Sequence, residues 1–292
     1  MVELSNQYLT VNLHPKGAEI ISIVGNQDHI NYMWKRDACQ WANSAPILFP
    51  IVGALKNDTC VINGKEYHMT QHGFARHNEF ETNQVSDTEV IFSLKSNDEI
   101  IKQYPFLFEL NVTYRLVENK LTCHIKVKNT DHQPIYFQVG GHPAFSCPFM
   151  ENESSNDYYL EFSENETCNR KIIDVEKRGM SRVEKPFFDN EKRFFVRQEL
   201  FNTDAIVIKK FKSENIALKS LNHDKSIVFH MNGFDHVGLW AAKHVGGLIA
   251  IEPWVGHADY TDFNGEFKEK ESCVELPVGK NFEVEFAVEI NQ

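Results

Sequence analysis

Residues 107–116 read LFELNVTYRL, and this stretch decides the fold class. In an extended chain Phe108, Leu110, Val112, Tyr114 and Leu116 share one face, and Glu109, Asn111, Thr113 and Arg115 share the other. That period of two belongs to a strand with one buried face. After a polar turn at 118–120, LTCHIKVK repeats the pattern with Leu121, Cys123, Ile125 and Val127 inward, which predicts an antiparallel hairpin. Phe282, Val284, Phe286, Val288 and Ile290 alternate in the same way near the C-terminus. Shorter strand-like runs are LTVNL (9–13), IYFQV (135–139), AIVIKKF (205–211), SIVFHM (226–231), VGLWA (237–241) and LIAIE (248–252). One short helix is predicted over Asp98–Gln103, opened by a Ser96…Glu99 capping box and stopped near Pro105.

No repeat, low-complexity tract or linker divides the 292 residues, so one unit spanning 1–292 is expected. The charged, Asn-rich segment 150–200 has the weakest pattern and is read as long loops and edge hairpins. The prediction is an all-β fold, a large antiparallel β-sandwich whose loops carry polar side chains across one face. Thirty Lys+Arg stand against 41 Asp+Glu, a net charge of −11, which argues against a duplex nucleic-acid partner. No run approaches the roughly 20 apolar residues of a membrane span. The N-terminus MVELSNQYLT lacks a signal pattern, and six scattered cysteines form no CxxC pair. Reduced thiols in a cytoplasmic protein are expected. Nothing in the strand edges demands an oligomer.

Four segments carry candidate chemistry. His72 and Arg76 flank small residues in QHGFAR, so a turn can aim both at one point. His142 follows two glycines and precedes Pro143, which defines its backbone position sharply. Asp204 stands directly before an apolar strand. Glu252 ends the apolar run LIAI beside Pro253 and Trp254, and buried carboxylates are rare unless paired or used. Structural roles stay open for each: a turn hydrogen bond for His142, a salt bridge for Arg76, a cap for Asp204. Thirteen histidines form no HExxH and no zinc-spaced cluster, and the chain lacks GxGxxG, Walker and GxSxG patterns. Neither a metal nor a cofactor is expected.

In their order and spacing these segments resemble the aldose 1-epimerase (galactose mutarotase-like) family, in its bacterial branch associated with lactose and galactose catabolism. The resemblance runs from LTVNLHPKGAEIISI (9–23) to the C-terminal strand. APILFPIVG (45–53), QHGFAR (71–76), YPFLFELNVTYRL (104–116), GGHPAF (140–145), FNTDAIV (201–207) and IEPWVGHAD (251–259) carry it. It implies the large sandwich of that family, an open sugar cleft, and interconversion of hexose anomers without a cofactor. It implies that His142 is the general acid and Glu252 the general base, and mutarotation is expected to place the two on opposite sides of the C1–O5 unit, facing one another across the width of a pyranose. It further implies that His72 and Arg76 touch the sugar near its reacting end, that Asp204 holds hydroxyls, and that Trp254 forms part of the cleft wall. One departure concerns Ala54, where this branch commonly carries Arg or Lys; Arg76 or Lys56 must replace that contact, or sugar choice has changed. Two alternatives accompany this reading. One is a hexose-6-phosphate mutarotase with a cationic pocket, the other a non-catalytic sugar-binding protein on the same fold.

Overall fold

A computed structural model describes residues 1–202, 204–242 and 247–292; Thr203 of the FNTDAIV segment lies outside them. The hairpin predicted at 107–128 is present as strands Phe108–Val117 and Lys120–Asn129, with Leu121 opposite Leu116 and Cys123 opposite Tyr114. The C-terminal strand Asn281–Asn291 lies on its other side, Leu121 against Val288 and Ile125 against Val284. The inward residues of all three strands are buried, except Phe282 at the start of the C-terminal strand, which is half-buried. Every strand pairing in the large sheet is antiparallel, and a separate sheet of Val2–Ser5, Leu9–His14 and Glu19–Gly25 packs its apolar face into the same core. The architecture is the all-β sandwich expected. All six cysteines are free thiols. Among the described residues no helix is long and apolar enough to cross a membrane.

Three expectations need correction. The helix is one turn, Asp98–Ile101, and its cap is Asn97 rather than Ser96: Asn97 Oδ1 accepts from Glu99 and Ile100 N–H at 3.1 and 3.0 Å. Asn caps as well as Ser and here stands at the residue where the backbone is still extended. The run 135–139 splits into Ile135–Phe137 and Val139–Gly141, because Gln138 turns inward and binds Val52 N–H through Oε1 and Glu271 O through Nε2. Segment 150–200 holds two 17-residue strands, Tyr158–Asp174 and Gly179–Phe195, paired as a long hairpin with several register shifts. Most of the second strand is exposed, so no alternation marked it in the sequence.

Strand order positions the candidate site. Gly247–Val255 has His236–Trp240 on one side. On the other it pairs with two short strands, Ala144–Cys147 along its first half and Val139–Gly141 along its second. Gly140 faces Trp254 and Ala144 faces Ala250 in one continuous frame, which sets His142 opposite Glu252 at the gap between the two short strands. Glu252 is therefore inside a strand that continues through Pro253 to Val255, not at its end. Gly140 is required by the same packing: a Cβ there would stand 2.7 Å from Pro253 O and 2.9 Å from the Trp254 indole.

Candidate active site

A cavity of about 360 Å³ opens over this gap. His72, Arg76, His142, Asp204, Glu252 and Trp254, the six residues singled out from the sequence, all line it. At its floor His142 Nε2 stands 3.2 Å from Glu252 Oε2. Both are buried, His142 at 9% exposure and Glu252 at 1%. Glu252 Oε2 and His142 Nδ1 have no aligned hydrogen-bond partner among the described residues. Burial drives Glu252 well above the usual carboxylate value; the Asp204 charge adds to the shift and the adjacent Trp254 opposes it. Burial also holds His142 below the usual imidazole value; a backbone hydrogen bond opposes this and the Arg76 charge adds to it.

The other four residues surround the pair. His72 adopts φ 66° and accepts the Gly53 N–H on Nδ1 at 3.1 Å, so its own proton sits on Nε2. Burial, then the charges of His142 and Arg76, keep it neutral well below the usual value. Arg76 donates through Nε to His77 at 3.1 Å, and among the described residues no carboxylate is ion-paired with its guanidinium. Asp204 adopts φ 80° and accepts its neighbour's Ala205 N–H on Oδ1 at 2.7 Å, leaving Oδ2 for the cavity. Trp254 packs against Gly140 and Gly238, whose missing side chains make room for the indole.

Three contributors were not legible in the sequence. Trp41 stacks on the His142 ring with centroids 4.6 Å apart, and Trp240 meets that ring edge-on at 5.6 Å. Trp41 lies in an aperiodic stretch with no motif to mark it. Arg178 lines the cavity from the bend of the long hairpin, held by Asp58 at 3.1 and 3.3 Å. Ala54 lines the cavity too, but Lys56 does not; its Nζ donates to Phe263 O and Asn264 Oδ1. Among the described residues the cations in the cavity wall are Arg76 and Arg178.

The large antiparallel β-sandwich places the chain in the galactose-mutarotase-like class of folds. Its solved members include a galactose mutarotase related enzyme from Lactobacillus acidophilus, 30% identical with a TM-score of 0.95, covering 100% of this chain and 97% of that one. A galactose mutarotase-like protein from Lactobacillus casei ATCC 334 is 28% identical with a TM-score of 0.92, covering 100% of each chain. The family profile described as Aldose 1-epimerase matches residues 1–275. Protein LacX (plasmid) of Lactococcus lactis subsp. lactis is 35% identical over 269 residues, 87% of each chain. The chain belongs to the aldose 1-epimerase family.

Proposed function

We propose that this protein is an aldose 1-epimerase interconverting the α and β anomers of a free hexose. The observation that carries the reading is the His142–Glu252 pair, 3.2 Å apart beneath a cavity of pyranose size. Mutarotation opens a cyclic hemiacetal, rotates C1–C2 and closes the ring on the other carbonyl face. Opening takes a proton from O1 and gives one to O5 as the C1–O5 bond breaks. The 3.2 Å contact corrects the expectation of an acid and a base on opposite sides of the C1–O5 unit; because both oxygens are bonded to C1, the touching pair would reach them from one side. Glu252 takes the O1 proton and His142 donates to O5. The pair then stands as neutral imidazole and carboxylic acid, and closure runs both transfers backwards.

One proton shared by the pair thus serves the whole cycle. The imidazolium–carboxylate form opens the ring, and the neutral form closes it. Burial favours the neutral form in the empty cavity, and sugar oxygens arriving as hydrogen-bond partners support the charged one. His72 Nε2–H and Arg76 stabilise charge developing on substrate oxygens, and Asp204 accepts from hydroxyls. Trp41 and Trp240 hold the His142 ring and offer apolar faces to sugar C–H groups. In Glu252→Gln the catalysed rate, followed by polarimetry from a fresh α-anomer, is expected to fall roughly 10²–10⁴-fold. Sugar binding by calorimetry should persist. An undiminished rate removes the assignment.

The two cavity arginines favour a second reading, a hexose 6-phosphate as substrate. Rates on glucose and galactose compared with those on their 6-phosphates decide between the two.

A further inference from the structure

We propose that His236, His257 and Glu271 form a binding site for a zinc-class divalent cation, separate from the sugar cavity. None of the three lines that cavity. Their donor atoms all lie within 4.8 Å of one another. His236 opens one strand, His257 follows the strand that carries Glu252, and Glu271 lies in the loop before Val274–Leu276. Sequence spacing concealed the set, because strand pairing rather than a local motif assembles it.

The imidazoles are prepared as ligands. His257 donates Nδ1–H to Ala258 O at 2.6 Å, which leaves a lone pair on Nε2. His236 Nδ1 is 2.7 Å from Asp235 Oδ1, and Ser272 and Gly256 hold that carboxylate in place. With Nδ1–H directed at Asp235, His236 also has a lone pair on Nε2. Both Nε2 atoms are buried, at 0% and 2% residue exposure, and neither has an aligned hydrogen-bond partner among the described residues, although His257 Nε2 lies within ion-pair distance of Glu271. Two inward lone pairs with their rings fixed by a carboxylate and a carbonyl are the outer shell that zinc histidines use. Glu271 supplies the third donor through Oε2, 3.5 Å from His257 Nε2.

The surroundings set the ion's class. Two imidazoles and one carboxylate are a borderline donor set that suits zinc or cobalt better than magnesium or calcium. Bonds of about 2.0–2.2 Å need the donors drawn slightly inward from their present spread. Tyr260 donates its hydroxyl to Glu271 Oε2, and Lys171 donates to Tyr260 at 2.8 Å. Lys209 holds Oε1, so Oε2 is the oxygen on the histidine side. The ion would tie the end of the Glu252 strand to its neighbour and to the 271 loop.

The test uses the full chain, stripped with chelator and titrated with Zn²⁺ and with Co²⁺. One equivalent should bind by calorimetry, with the visible absorption of low-coordinate cobalt and a rise in Tm. Asp235→Asn should weaken binding about 10–100-fold. His257→Gln and Glu271→Gln should weaken it further, while His142→Gln should keep it. Absence of binding to the wild type overturns the site, as does binding that survives in His257→Gln. If a histidine variant does not fold, X-ray absorption on zinc-loaded His142→Gln protein decides: imidazole scattering supports the site, and oxygen-only coordination overturns it.

Discussion

Of the six residues drawn from the sequence, Glu252 and His142 were marked by local context, a carboxylate in an apolar run and a histidine between glycines and a proline, while Trp254 came from the family resemblance. Burial pushes Glu252 up and His142 down, toward the neutral pair. The two shifts set the pH profile proposed for the reaction. The working pair holds one proton. It gains a second when His142 protonates, below the ordinary imidazole value of 6.5. It loses its last when Glu252 ionises, above the ordinary carboxyl value of 4.5. Lowering the first and raising the second widens the plateau between them. The expected kcat/KM profile therefore has its acid limb displaced below 6.5 and its alkaline limb displaced above 4.5. An acid limb at 6.5 in stopped polarimetry, the mark of a free imidazole, would contradict this account.

Elements were legible where one face is buried. The hairpin 108–129 alternates because every second residue must leave water, and the same logic marked the C-terminal strand. The strand Gly179–Phe195 has water on most of its length, so no selection for alternation operates and its pattern is blurred. The bend of that hairpin nonetheless forms one wall of the cavity, through Ile173, Val175, Arg178 and Met180. Arg178 ties it to Asp58 with a two-pronged ion pair whose arginine side chain is 58% exposed. Such pairs contribute about 0.2–1 kcal/mol, so Arg178→Ala should raise KM for a neutral hexose by about fivefold at most. Among the described residues no hydrogen bond or ion pair joins the bend to His142 or Glu252, and kcat should hold. Initial-rate kinetics check the split: a fall in kcat at constant KM would mean that the bend acts on the pair. A much larger loss selective for a 6-phosphate would favour the second reading of the substrate.

At the scale of the whole molecule, strand order was the hidden variable. Alternation names strands but not neighbours, and only the frame shared by 140–254 and 144–250 sets His142 against Glu252. That burial has a consequence for stability that can be signed. His72 and His142 are neutral when folded, with values held below 6.5. The unfolded chain takes up a proton at each as pH falls through 6.5, so stability from these two groups is full above 6.5 and lost on acidification. Glu252 acts the other way: it keeps its proton above 4.5 when folded, so its contribution is full below 4.5 and lost as pH rises through its raised value. Between 4.5 and 6.5 His72 and His142, joined by His236 and His77 whose values are also lowered, favour higher pH and Glu252 favours lower, and the net effect is a fall in stability with acid. Calorimetric Tm should therefore drop from pH 7 to pH 5. In His72→Gln one of these contributions is removed, and the slope over that interval should become shallower. A Tm that rises toward pH 5 in the wild type, or an unaltered slope in the variant, would show that the cavity floor is wetter and less apolar than its packing implies.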